Sequence, residues 1–292
     1  MKTIFLLVLT LKSAILLAQI QGVVKDSLTE APIPYVSIWV ENENTGATSE
    51  ENGTFKINHS GKNKNLIFSA LGYEKKKVTI KKEAVILLKP TIFQLDEIVL
   101  FNKKETRTQV IGIVPNETAE AFDNGPKIDA KYFPYFKKYQ KTKFIKQVSL
   151  FTDCRINKAT IKIHFYSVDA DGFPGKELLN KDLIVSVSKG TKETFFDISF
   201  LNLILPKTGL FVGYEKLIIE SNKSEFTTPA TNNNGLKIQI KQEPLVLYNW
   251  VENETSFSFV GGKWTKKNNS KNKEVNSKSK GYEPAIKLIL TN

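Results

Sequence analysis

From Gln21 to Leu100 the chain holds no helical period, and apolar residues recur at every second position in short runs divided by turn residues. Period two throws successive side chains to opposite faces, so runs with one apolar face specify strands lying on a core. In "EAPIPYVSIWV" prolines lead into Val36, Ile38 and Val40 on one face. "ENTGATSEENGTFKI" then supplies Gly46 and Asn52-Gly53, where the backbone can take angles that a side chain resists, before Phe55 and Ile57 resume the alternation. "NLIFSALGY", "KKVTI", "AVILL" and "QLDEIVL" follow at even spacing after the opening "GVVKDS". Such a series predicts an all-β fold that begins with a seven-stranded β-sandwich over residues 19–100.

Residues 101–140 break this rhythm. "FNKKETRTQ" is charged, "NETAEAFDNGPKIDA" is polar and rich in turn residues, and "KYFPYFKKYQKTK" mixes aromatics with lysines. The stretch reads as a packed connector, with a short helix near 117–122. Strand signals return from 141. "KATIKIHFYSV" sets Ile161, Ile163 and Phe165 opposite Lys162 and His164, and "ELLNKDLIVSV", "TFFDIS", "GLFVGYEKLIIE", "LKIQI" and "AIKLIL" continue the pattern. So many short strands suit a jelly-roll-like β-sandwich over 141–292 rather than a parallel α/β fold.

The N-terminus reads as a targeting segment. "MKTIFLLVLTLKSAILLAQ" has a lysine, an apolar run and Ala18 before Gln19, which predicts a secretory signal over 1–18 and an exported mature chain. The apolar run is short for a spanning helix, and no later run is long enough, so no transmembrane segment is expected after cleavage. Loss of Lys2 and Lys12 lowers the net charge from +12 to about +10. Much of the excess sits in "KWTKKNNSKNKEVNSKSK", residues 263–280, where lysine, asparagine and serine occur without arginine. That composition suits a solvated loop rather than a nucleic-acid face, and nucleic acid is not an expected partner.

The order Gly22-Val-Val, Asp26, Pro32 to Val36, Gly46, "SEENGTFKI" and "FSALGY" resembles the carboxypeptidase regulatory-like domain, a transthyretin-like β-sandwich, over about residues 20–100. The resemblance implies a non-catalytic module of the Bacteroidetes type, where such domains often precede TonB-dependent receptors and end much like "LDEIVL". In that setting a short extended segment can engage an energy-coupling protein by strand addition. Fewer than two hundred residues follow "QLDEIVL" here, too few for a receptor barrel, and Ile98 and Leu100 are expected to close the sandwich instead. "IHFYSVDADGFPGKELL" and "FFDISFLNLILPKTGLFVGYE" resemble C-terminal β-sandwich domains that follow the same module in Bacteroidetes envelope proteins.

No catalytic constellation stands out. His59 and His164 begin neither an HxxE nor an HExxH pattern, so zinc chemistry is not expected, and no cofactor or metal is assigned. Asp169 and Asp171 before Gly172 suggest a calcium loop, but Ser167 and Leu178 occupy the key acidic positions, and an inter-strand turn is the better reading. Cys154, the single cysteine, lies in the apolar run "LFTDCRI" and reads as a buried thiol. Tyr248, Trp250 and Trp264 are the candidate ligand-binding residues, since aromatic rings stack on sugars, and "VLYNW" puts the first two on one face. The expected function is a non-catalytic binding or scaffolding protein of the periplasm, outer membrane or cell surface, with an envelope protein or a surface glycan as partner. The alternatives are a glycan-binding accessory protein of an outer-membrane uptake system and, third, a hydrolase whose site is not identified.

Overall fold

The computed structural model describes residues 19–58, 64–79, 83–91, 105–113, 119–121, 126–229, 235–252, 256–266 and 281–292. The signal segment, His59, "QLDEIVL" and residues 267–280 of the lysine-rich stretch lie outside the described residues.

Seven strands build the first unit: β1 (Gln19–Asp26), β2 (Ser37–Val40), β3 (Gly46–Thr48), β4 (Thr54–Asn58), β5 (Asn65–Ser69), β6 (Lys76–Thr79) and β7 (Glu83–Leu88). They form two sheets, ordered β4-β1-β7 and β3-β2-β5-β6, with β1 antiparallel to β4 and parallel to β7. Their alternation points Val24, Ile38, Val40, Phe55, Ile57, Leu66, Phe68 and Leu88 into one core, where Phe55 and Phe68 meet edge to face at 5.5 Å. The all-β sandwich read from the sequence is present, with a short strand at Gly46–Thr48 where a turn was expected; the expected closing strand "QLDEIVL" lies outside the described residues. β2 is buried on both faces. Its Trp39 points away from this core into an aromatic cluster of the second unit, with the Phe259 ring at 5.3 Å.

The second unit comprises β8 (Thr108–Ile111), β9 (Ala119–Ala121), β10 (Ile128–Phe133), β11 (Phe144–Val168), β12 (Pro174–Glu177), β13 (Leu183–Asp197), β14 (Leu210–Lys216), β15 (Lys223–Pro229), β16 (Leu236–Gln242), β17 (Leu245–Val251), β18 (Ser256–Val260), β19 (Lys263–Lys266), β20 (Gly281–Pro284) and β21 (Ile286–Thr291). β11 organises it. This 25-residue strand pairs with β21 through residues 144–150 and with β14 through 161–166, and β13 follows it along most of its length. A register shift between Cys154 and Lys158, opposite Gly190, breaks the strand into two arms. Such irregularities bend a strand, and here one strand carries the hydrogen-bonded path past the break from one set of partners to the other. Ile145, Val148, Leu150, Ile161, Ile163, Phe165, Val212, Leu288 and Leu290 fill the main core between. Among the described residues β15 and β16 pair with each other alone, as a two-stranded ribbon.

Within the stretch expected to be a connector, three strands join the second unit. β8 pairs with β21, β9 with β17, and β10 lies between β14 and β18. A strand at 119–121 replaces the expected helix. β10 reads as polar because Asp129 and Lys131 occupy its inward positions, yet both are buried and paired. After β10 comes the short 3-10 turn Lys137–Lys141, with Tyr139 buried.

Candidate functional site

The two sandwiches meet along a cleft of about 320 Å³, lined on one side by Ser37, Trp39, Tyr73 and Lys75, and on the other by Lys162, His164, Tyr166, Glu177, Glu215 and Trp264. The second side begins with β11, whose alternation places Lys162, His164 and Tyr166 on a single face. Ile161, Ile163 and Phe165 take the opposite face and bury it in the main core. The polar face of β11, which on sequence grounds belongs to solvent, is turned towards the first sandwich.

His164 is held between two carboxylates. Its Nδ1 lies 2.9 Å from Glu177 Oε2 and its Nε2 lies 3.0 Å from Glu215 Oε2. A neutral imidazole donates from one nitrogen only, so acceptors at both nitrogens call for the imidazolium. Burial alone would lower its pKa, but Glu177 and Glu215 outweigh burial and hold it up at about 9. Burial likewise works to raise the pKa of Glu215, and is outweighed by Lys162, His164 and the Ser37 hydroxyl, so that the carboxyl titrates below its usual range. Glu177 Oε1 accepts the Phe165 amide at 2.7 Å. Lys162 donates to the Tyr35 carbonyl at 2.9 Å and pairs with Asp182 at 3.1 Å. Tyr35, the residue whose carbonyl crosses the boundary, has a left-handed backbone with φ of +54°.

Aromatic rings form the rest of the wall. Tyr166 stacks on the His164 ring at 5.5 Å, Trp264 meets Tyr166 and Phe259 edge to face at 5.2 Å, and Lys75 Nζ lies 5.7 Å from the centre of the Phe259 ring. Further bonds tie the sandwiches together away from the cleft. Asn42 N–H donates to Gly261 O, Ile218 N–H to Thr48 Oγ1 and Glu220 N–H to Glu50 Oε1. Gly261 has a φ of +57°, and a Cβ there would lie 2.9 Å from Glu43 N, so the turn between β18 and β19 approaches the first sandwich only because it carries no side chain.

The three aromatics singled out in the sequence are not brought together. Tyr248 is fully buried in the main core, where its hydroxyl donates to Asp129 and lies 2.5 Å from that of Tyr214, so it presents no face to a ligand. Trp250, half-buried two residues on, is paired in register with Tyr282 on β20. Trp264 alone reaches the cleft. Asp169 Oδ1 accepts the amides of Asp171 and Phe173 within the turn from β11 to β12. Cys154 is buried, which pushes its thiol pKa up, and its Sγ donates to Ile156 O. Sequence reasoning missed His164 as a focus. Its partners lie 13 and 51 residues away on other strands, and the one local signal was an aromatic, Tyr166, on an otherwise polar face.

With this geometry in hand, the comparisons with known proteins bear on the first sandwich. Residues 20–100 match the CarboxypepD_reg-like domain family. The CarboxypepD_reg-like domain thus supplies Ser37, Trp39, Tyr73 and Lys75 to the cleft. No curated protein matches the chain. Among solved structures, a "putative carbohydrate binding protein" from Bacteroides uniformis aligns at 12% identity and a TM-score of 0.21, over 79% of this chain and 98% of that one. A DUF3823 family protein from Bacteroides ovatus aligns at 9% identity and 0.20, over 79% and 95%. Another from Parabacteroides merdae aligns at 11% and 0.20, over 68% and 98%. Superpositions this loose carry no argument about the second unit or the cleft.

Proposed function

We propose that the chain is an exported binding protein of the cell envelope without catalytic chemistry, and that the cleft between its CarboxypepD_reg-like domain and its second sandwich is where it takes a ligand. The observation that carries this reading is the state of the charged groups in the cleft. His164 is an imidazolium with both nitrogens engaged, Glu177 and Glu215 hold it, and Lys162 is tied to Asp182 and Tyr35. A general base must be free to accept a proton at working pH, and a cationic histidine with a pKa near 9 is not. The arrangement suits a clamp that fixes two domains and leaves a shaped surface between them.

A glycan is the ligand class favoured by the walls of that surface. Trp264, half-buried at the rim, stands beside Tyr166, with carboxylates and lysines close by to meet hydroxyl groups. A sugar ring offers a C–H face for the aromatic and polar edges for the charges. Binding of the purified mature chain to an array of envelope and dietary glycans, followed by calorimetry on any hit, tests the reading. Trp264→Ala should weaken a hit at least about tenfold, as loss of a stacked aromatic anchor does. Binding unchanged in that variant would remove the cleft from the account, and turnover of a glycan or peptide would replace a binding protein with an enzyme.

A further inference from the structure

Away from the cleft, β15 and β16 make a ribbon that belongs to neither sandwich. Its two faces differ. One carries Phe226, whose ring is covered by the Arg155 guanidinium of β11 at 4.6 Å and by Lys241 Nζ at 5.3 Å, so this face looks back at the body. The other carries Leu236, Ile238 and Ile240, which are 76%, 64% and 58% exposed. Their register partners on that face, Pro229, Thr227 and Glu225, leave a charge only at the end nearest the body. Apolar exposure therefore rises towards the far end of the ribbon. Three consecutive outward positions filled by aliphatics cost solubility, and a contact must compensate for keeping them exposed.

We propose that this ribbon is a lipid-contacting element, which lays Leu236, Ile238 and Ile240 into the surface of an anionic bilayer. Patch size argues against a protein partner as the sole occupant. Three aliphatic side chains fall well short of the roughly 800 Å² per partner that a stable interface buries. A bilayer surface asks for no shape complementarity, only apolar area and opposite charge. The charge lies on the other side of the ribbon, as it does in an interfacial element whose apolar side enters the bilayer: Lys237 and the half-buried Lys241 occupy the opposite face of β16, and the mature chain carries about +10. Lysine stems reach past apolar surface to keep their ammonium groups at headgroup level. The proposal stands apart from the cleft and does not depend on what binds there.

The test is co-sedimentation of the mature chain with phosphatidylcholine vesicles, with and without phosphatidylglycerol. A triple variant, Leu236→Thr, Ile238→Thr and Ile240→Thr, keeps the charge and the strand propensity and removes the aliphatics. The wild type should bind the anionic vesicles, retain part of that binding at high salt, and lose about tenfold or more in affinity as the triple variant. A nearly unchanged melting profile in the variant should accompany the loss, because the three side chains are mostly exposed. Equal binding by the variant would mean that net charge alone attracts the protein, and the proposal fails. It fails equally if the wild type ignores both vesicle types. Self-association of the wild type that the variant abolishes, without vesicle binding, would assign the face to a second copy instead.

Discussion

His164 is a single residue whose charge is set inside the second unit, by Glu177 of β12 and Glu215 of β14, on the wall that faces the first. Its pKa lies at about 9 in the folded chain against an ordinary 6.5. A group whose pKa is raised on folding adds stability that is fully present below the unfolded value and is lost as pH climbs through the folded one. The urea midpoint should therefore fall as pH rises from about 6.5 to about 9, by a loss on the order of 3 kcal/mol, while His164→Gln should be flat across that window. A wild type as flat as the variant would show that the imidazolium is not held by Glu177 and Glu215. Glu215 acts in the other direction. Its carboxyl is depressed below the usual 4.5, so its share is present above that value and lost as pH falls through the folded one. None of this was legible in the sequence. "KIHFYS" announces a strand and says which residues share a face, but the carboxylates that make His164 cationic come from β12 and β14, and the polar face gave no sign that another domain would cover it.

At the scale of elements, strands were read where one face is apolar and missed where charges point inward. The first sandwich and the later strands follow a clean alternation. β10 does not. Asp129 takes the hydroxyls of Tyr248 and Ser258 and the Lys127 ammonium, and Lys131 pairs with Glu283 at 2.7 Å, so a core-facing strand has the composition of a linker. Charges so placed need partners brought by the fold, and apart from Lys127 those named lie more than a hundred residues downstream. β11 shows a different dependence. On its side away from β13, Thr160 lies beyond the end of the β14 pairing, and the side chain of Asn222 takes that strand's role. Its Oδ1 accepts Thr160 N–H at 2.8 Å, and its Nδ2 donates to Thr160 O at 2.7 Å and to Leu217 O at 3.0 Å. Asn222→Ala would leave a buried amide and two carbonyls short of a partner. It should cost about 2–4 kcal/mol in denaturant unfolding. Asn222→Asp keeps the acceptor but not the donor and adds a buried charge, so it should cost no less. A loss under about 0.5 kcal/mol for both would mean that water repairs the gap.

For the whole molecule, the question is how far the two sandwiches depend on each other. The first has a core of its own, from Ile20 to Leu88, but Trp39 completes its burial only against Phe259 and Tyr166 of the second. Residues 19–91 alone should therefore unfold cooperatively, with Trp39 fluorescence shifted to the red of its position in the full chain. A disordered fragment would show that neither core is self-sufficient, and unshifted emission would deny the aromatic joint. Chain order adds a matter of timing. The seven described strands of the first sandwich are all in hand once Leu88 has been made. In the second, β21 pairs with both β8 and β11, so residues 286–291 fill a gap between strands that precede them by more than a hundred positions. Until that segment arrives, the inner edges of β8 and β11 stand open, each able to recruit a strand from elsewhere. A chain that must finish its second half all at once gains from being kept unfolded until it is complete, and it leaves a window in which a holding chaperone would find its target.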